Sequence, residues 1–193
     1  MRIIRLLTPV FFAGLCVFSS ASPSTTSEFT QRAKHVVRYD GPEIKAHLEY
    51  WWADDFISTP NLMLKLSLMV DGTTSTEVKH DAIRALSPDG STIPLVGATE
   101  FQRQYPDLLM TLDLNNAWGP PPESFSGTRK SCGRWFLSRP GALRDQPSLT
   151  VIPGYWCSGP LVFNVPGGVR PGEWVLIIGL EESDVRIPFM LGE

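Results

Sequence analysis

The stretch Asn61-Leu62-Met63-Leu64-Lys65-Leu66-Ser67-Leu68-Met69-Val70-Asp71-Gly72 decides the fold. Leu62, Leu64, Leu66, Leu68 and Val70 occupy alternate positions, with Met63, Lys65, Ser67 and Met69 between them. Successive side chains of a strand point to opposite faces, so this period of two predicts a half-buried β-strand. Asp71-Gly72 supplies the turn that ends it.

The same period recurs on both sides. Upstream, after Gly41-Pro42, residues Ile44, Ala46, Leu48, Tyr50 and Trp52 share one face, and Glu43, Lys45, His47 and Glu49 share the other. A helical reading through Ile44, Leu48, Trp51 and Trp52 competes, but the Gly-Pro opening and the crowded aromatics favour a strand. Downstream, residues 82–97 read as a hairpin around Ser87-Pro88-Asp89-Gly90. There Pro presets the first turn angle and Gly tolerates positive φ. Thr99 to Tyr105 predicts one short helix, capped by Thr99 and limited by Pro106. Leu108 to Leu114 reads as a further strand.

Beyond the irregular, proline-rich stretch 115–131, strands dominate again. Leu161, Phe163 and Val165 alternate, and so do Trp174, Leu176, Ile178 and Leu180. Val175 and Ile177 lie between the latter, which predicts a strand buried on both faces. Val185, Ile187, Phe189 and Leu191 form the last strand, and Pro188, which lacks an N–H, places it at a sheet edge. Seven or eight short strands with frequent Pro/Gly turns predict an all-β, antiparallel, immunoglobulin-like β-sandwich. One domain over residues 34–193 suits the length, with residues 22–33 (SPSTTSEFTQRA) as a flexible lead.

The first 21 residues have another character. Arg2 and Arg5 precede an apolar run from Leu6 to Phe18, followed by Ser19-Ser20-Ala21. This is the layout of a secretory signal peptide cut after Ala21. A lipoprotein anchored at Cys16 is disfavoured by the bulky Leu15 before it. The expected location is therefore exported, either periplasmic or extracellular. No later stretch is apolar for the roughly 18 residues that a spanning helix needs. The chain carries 17 basic and 20 acidic side chains, a formal net charge of −3. That balance, with no charge block or basic stripe, argues against nucleic acid as a partner. Once Cys16 has left with the signal, Cys132 and Cys157 remain, and in an oxidising compartment they are expected to pair. A loop of about 25 residues closed this way stabilises by roughly 3 kcal/mol on the chain-entropy model. The spacing matches neither C-x-x-C redox chemistry nor a zinc site.

The tail VPGGVRPGEWVLIIGLEESDVRIPF, together with that cysteine pair and the hairpin SPDGSTIPL, resembles a group of uncharacterised bacterial secreted proteins. The resemblance implies an immunoglobulin-like sandwich in the cell envelope, and it carries over no catalytic residue.

Motifs for chemistry are sparse. His35, His47 and His80 stand apart from one another and read as surface residues, with no H-E-x-x-H pattern. There is no G-x-S-x-G elbow and no phosphate loop, the nearest imitation being Ser124-Phe125-Ser126-Gly127-Thr128. Asp54-Asp55 and Glu181-Glu182-Ser183-Asp184 read as solvated turns rather than calcium loops. No cofactor or metal is expected. Of six tryptophans, Trp52 and Trp174 fit inward faces, and Trp135 and Trp156 lie beside the cysteines. Trp51 falls on a polar face and Trp118 in the proline-rich loop. An exposed indole offers large amphipathic contact area. Trp51, Trp118, Pro120, Pro121 and Phe125 are thus the candidate binding residues. The expected function is non-enzymatic binding or scaffolding of another envelope protein, through the last edge strand and the 115–131 loop. The alternatives are a carbohydrate-binding module using the exposed tryptophans and an enzyme with a dispersed site.

Overall fold

The computed structural model describes residues 29–141 and 146–192. Residues 1–21, expected to be a signal peptide, and residues 22–28 of the expected lead lie outside the described residues. In chain order the elements are β1 (Phe29–Ala33), β2 (Val36–Asp40), β3 (Lys45–Glu49), β4 (Asn61–Met69), β5 (Thr76–Lys79), β6 (Ile83–Leu86) and β7 (Thr92–Pro94). Helix α1 (Ala98–Leu114) and the single turn α2 (Glu123–Ser126) follow, then β8 (Lys130–Ser131), β9 (Ser148–Val151), β10 (Tyr155–Asn164), β11 (Gly172–Gly179) and β12 (Asp184–Leu191). A six-stranded sheet in the order β1-β2-β3-β4-β10-β8 packs against a four-stranded sheet, β12-β11-β6-β7, and β5 pairs with β9 as a small third sheet. All pairings are antiparallel except β8 with β10. The result is the all-β sandwich that the alternation predicts.

The alternating leucines of β4 set the core. Leu62, Leu64, Leu66 and Leu68 lie opposite Phe163, Leu161, Gly159 and Cys157 of β10. On the other side Leu66 and Leu68 lie opposite Leu48 and Ala46 of β3. Across the sandwich stand Trp174, Leu176 and Ile178 of β11 with Val185, Ile187 and Phe189 of β12, all buried in the same cluster. Tyr50 meets Phe189 at 5.1 Å between ring centroids, joining the two layers. Each leucine side chain buried this way contributes about 1.5–3 kcal/mol. Gly159 has a specific reason to be glycine: a Cβ there would lie 2.3 Å from the Trp135 ring.

The expected hairpin forms between β6 and β7. Gly90 adopts φ 84° at its turn. The Ser87 hydroxyl and the Ser91 N–H both donate to Asp89, and these bonds hold its carboxyl down to about 2. β12 is the edge of its sheet, as Pro188 requires.

Four expectations change. Residues 29–33 of the supposed lead form β1, in register with β2 through Phe29 opposite Tyr39. Most of this strand is exposed, so its Thr/Gln composition suits an edge. The second correction concerns α1. It spans 17 residues, runs through Pro106 and absorbs the strand expected over 108–114. Its buried residues Phe101, Tyr105, Leu108 and Leu112 follow the helical stripe. Leu108 and Leu112 satisfy both periods, and Met110 and Leu114 decide between them: a strand would bury both, yet they are 73% and 71% exposed. Gly97, not Thr99, takes the N-cap position. An interior proline costs about 3 kcal/mol. Pro106 is exposed, so water can satisfy the Gln102 carbonyl that loses its usual donor, and the four buried side chains outweigh the cost.

Third, β4 is buried on both faces, Lys65 and Ser67 included. Fourth, His47 is 5% exposed rather than a surface residue. Both follow from the placement of residues 117–126 across the outer face of the six-stranded sheet.

Candidate functional site

The outer face of the six-stranded sheet carries a polar row. Cross-strand register aligns Arg38 (β2), His47 (β3), Ser67 (β4) and Ser158 (β10), with Glu49 opposite Lys65 one step along. The Ser67 and Ser158 hydroxyls bond to each other at 2.8 Å. Lys65 Nζ lies 3.3 Å from Glu49 Oε1, and His47 Nδ1 lies 3.5 Å from the same oxygen. These are ion-pair distances without hydrogen-bond alignment, so Glu49 Oε1 and His47 Nδ1 have no hydrogen-bond partner. Burial pushes the Glu49 carboxyl up, but His47 and Lys65 together outweigh it and hold the group below its ordinary value.

A proline-stiffened arm, residues 115–127, lies over this row. The Lys65 ammonium donates to the Pro120 carbonyl at 3.3 Å. Phe125 packs against His47, with centroids 5.4 Å apart, and beneath the Arg38 guanidinium at 5.6 Å. Arg38 also donates to the Ser124 carbonyl. The arm is fastened at its far end. Cys132 and Cys157 form the expected disulfide, with Cα atoms 5.2 Å apart, within the usual span. The Cys132 N–H donates to the Trp156 carbonyl beside it.

The candidate binding residues therefore divide. Phe125 and Pro121 are buried beneath or within the arm and present no free surface. Pro120 is exposed, but its carbonyl is held by Lys65. Trp51 is 49% exposed and stands edge-on to the buried Trp52. Trp118 is half-buried, packed edge-on to Phe101 of α1 at 6.2 Å and covered by Arg139 at 5.5 Å. The structure does not bring Trp51 and Trp118 to one place: Trp51 follows β3, and Trp118 closes the end of α1.

Where the arm meets β10, a pocket of about 250 Å³ opens between Trp118, Trp135, Arg134, Arg139 and Ser158. Ser158 thus borders both the pocket and the buried polar row. Trp135 is fixed by its indole N–H, which donates to the Pro160 carbonyl at 2.7 Å. The two arginines were not singled out by motif reading. Their signal is compositional: residues 124–141 contain Arg129, Lys130, Arg134 and Arg139 and no acid.

The acidic turns sit elsewhere. Asp54 pairs with His35 at 3.2 Å and accepts the Gly192 N–H. Glu181, Glu182 and Asp184 line an open cavity of about 900 Å³ with Glu43, Glu77 and Asp81. Among the described residues no group of three or more His, Cys, Asp or Glu is arranged to hold a metal, and no helix is long and apolar enough to cross a membrane.

No family model matches this chain, and no curated protein does. Two solved structures resemble it weakly. The yjhA protein from Bacillus subtilis aligns at 10% identity over 86% of this chain and 97% of its own, with a TM-score of 0.36. A family 123 glycoside hydrolase from Clostridium perfringens aligns at 9% identity over 77% of this chain and 27% of its own, with a TM-score of 0.32. Likenesses this weak carry nothing about the chemistry of this chain. The protein itself is a β-sandwich with a disulfide-fastened arm across its larger sheet.

Proposed function

We propose that this protein is an exported, non-enzymatic binding module of the cell envelope, and that it grips a partner protein through the outer side of α1. One observation carries the reading. Of the five large hydrophobic side chains left exposed among the described residues, three belong to this one helix: Leu109, Met110 and Leu114. Met110 and Leu114 are four residues apart and lie opposite the buried stripe, with Pro106 one turn before them. Spacing of this kind places side chains as neighbours on a helix surface. It is the arrangement that a partner groove reads, and methionine adapts its shape to such contacts. The proline-rich segment expected from sequence to make this contact is instead packed on the sheet, so the contact passes to the helix before it. The hydroxyls and charges of the polar row face one another beneath the arm, which favours a structural use for them over catalysis. Export rests on the basic start and apolar run of residues 1–21, and a disulfide suits an oxidising compartment.

The test is a crosslinking pull-down of the tagged mature protein from its own cell envelope, read by mass spectrometry. Wild type is compared with a Met110→Lys/Leu114→Lys double variant. One protein recovered in near-equal amount from wild type and lost from the variant supports the reading. Recovery of the same proteins by both forms, or of nothing specific, overturns it.

A further inference from the structure

We propose that Met110 is a redox-sensitive modification site, and that its oxidation to the sulfoxide by a peroxide switches off the contact made through α1. The proposal rests on the reading of α1 as the contact surface and adds its regulation.

Accessibility singles out this side chain. Met110 is 73% exposed, whereas Met63 and Met69 are 1% and 2% exposed, and Met190 is half-buried. A thioether is oxidised only where the oxidant reaches its sulfur, so exposure ranks Met110 first among the described methionines. No thiol competes for the oxidant among the described residues, because Cys132 and Cys157 are already joined.

Position gives the modification its effect. Met110 is the centre of a ridge formed with Leu109 and Leu114, which are 39% and 71% exposed. Leu114 lies four residues on, and the exposed Asp107 and Asp113 lie three residues to either side. All three are its neighbours on the helix surface. Oxidation turns a flexible apolar side chain into a polar one. The new oxygen accepts hydrogen bonds, and neither the leucines nor the carboxylates supply a donor. In water it is solvated without cost. In the apolar groove of a partner it sheds that water and gains no bond in return.

The fold separates a switch from damage. The side chains that seat α1 on the sandwich are Phe101, Tyr105, Leu108 and Leu112, on the opposite side of the helix. An oxygen added at Met63 or Met69 would lie inside the packed faces of β4, whereas one added at Met110 stands in solvent. Oxidation at Met110 therefore changes the ridge and leaves the sandwich intact. The same exposure leaves the sulfoxide open to a thiol-dependent methionine sulfoxide reductase, which makes the change reversible.

The chemistry balances with hydrogen peroxide as oxidant. The sulfur lone pair attacks one peroxide oxygen, and the S–O bond forms as the O–O bond breaks. Sulfur loses two electrons, and the other oxygen leaves as hydroxide. The proton on the transferred oxygen passes to that hydroxide and completes water. In the reverse direction two thiols reduce the sulfoxide to the thioether, giving one disulfide and one water.

The experiment treats purified mature protein with dilute hydrogen peroxide, which is removed before any envelope extract is added. Peptide mass mapping should show oxygen gained at Met110 at least tenfold faster than at Met63 or Met69, with an unchanged β-sheet spectrum. The envelope pull-down is then run with untreated, oxidised and reductase-repaired protein. Oxidised protein should recover at least tenfold less of the partner than untreated protein, and repair should restore the recovery. Met190→Leu should respond to peroxide as wild type does. Whatever amount Met110→Leu recovers, peroxide should leave that amount unchanged. Comparable oxidation of Met63 or Met69, equal recovery before and after peroxide, a loss that repair does not reverse, or a loss that persists in Met110→Leu would each overturn the switch while the ridge reading stands. Failure of untreated wild type to recover a ridge-dependent partner overturns the ridge reading itself, and the switch with it.

Discussion

The two faces of β4 are covered alike and held by different physics. On the inner face, four leucines meet the opposite sheet in a continuous apolar cluster. On the outer face, Met63 and Met69 flank Lys65 and Ser67, and the cover is a single arm whose backbone accepts two hydrogen bonds from the sheet, with one ring contact and one cation–ring contact beside them. Burial of aliphatic area is non-directional and tolerates imprecise geometry. A buried polar row is demanding, because each donor and acceptor needs a partner in line. Two buried atoms of this row, on His47 and Glu49, have no hydrogen-bond partner. The difference separates a face that holds the fold together from one whose cover is the less firmly held layer.

That contrast can be broken or sharpened by graded substitutions. The largest effect is expected from Leu66→Ala on the inner face, about 2–5 kcal/mol of lost stability by urea denaturation. A cost below about 1 kcal/mol would remove the distinction between the faces. Cys132→Ser/Cys157→Ser should cost roughly 3 kcal/mol on the chain-entropy model for a loop of this length. Hydrogen exchange should show the loss of protection concentrated in residues 115–137, and uniform loss would show that the disulfide serves the sandwich rather than the arm. Phe125→Ala should cost about 2–3 kcal/mol and raise exchange in the arm while β4 and β10 stay protected.

Glu49 gives a pH test. Its folded carboxyl lies below its ordinary value of 4.5. Its contribution is therefore complete above that value and is lost as pH falls through the lowered folded value. Stability should decline on acidification below about pH 4.5, with a shallower decline in Glu49→Gln. Parallel curves for the two proteins would mean that the row carries no net charge stabilisation. The smallest effect is expected from Met110→Lys/Leu114→Lys, within about 0.5 kcal/mol, because both side chains already stand in water. A larger loss would mean that the ridge is part of the fold rather than a contact surface.

Local pattern made most of the sandwich legible. The hairpin around Ser87-Pro88-Asp89-Gly90 and the edge position of β12 follow from residues within a few positions of each other. Helix α1 was half legible, because Leu108 and Leu112 fit both periods and Pro106 suggested a boundary. The candidate site was least legible. Trp118 was singled out as an exposed aromatic, yet Arg134, Arg139 and Ser158 become its neighbours only through long-range pairing.

The sequence alone determined the alternation of β4, and with it an all-β fold, because strand period is a property of the chain. Tertiary structure alone decided that the polar side of β4 lies under cover, that Pro106 sits within a helix, and that two tryptophans and two arginines frame one pocket. The reason is physical: an alternating strand has two possible environments for its second face, and what covers that face is set by a segment about 50 residues away, whose own composition is compatible with either water or a sheet.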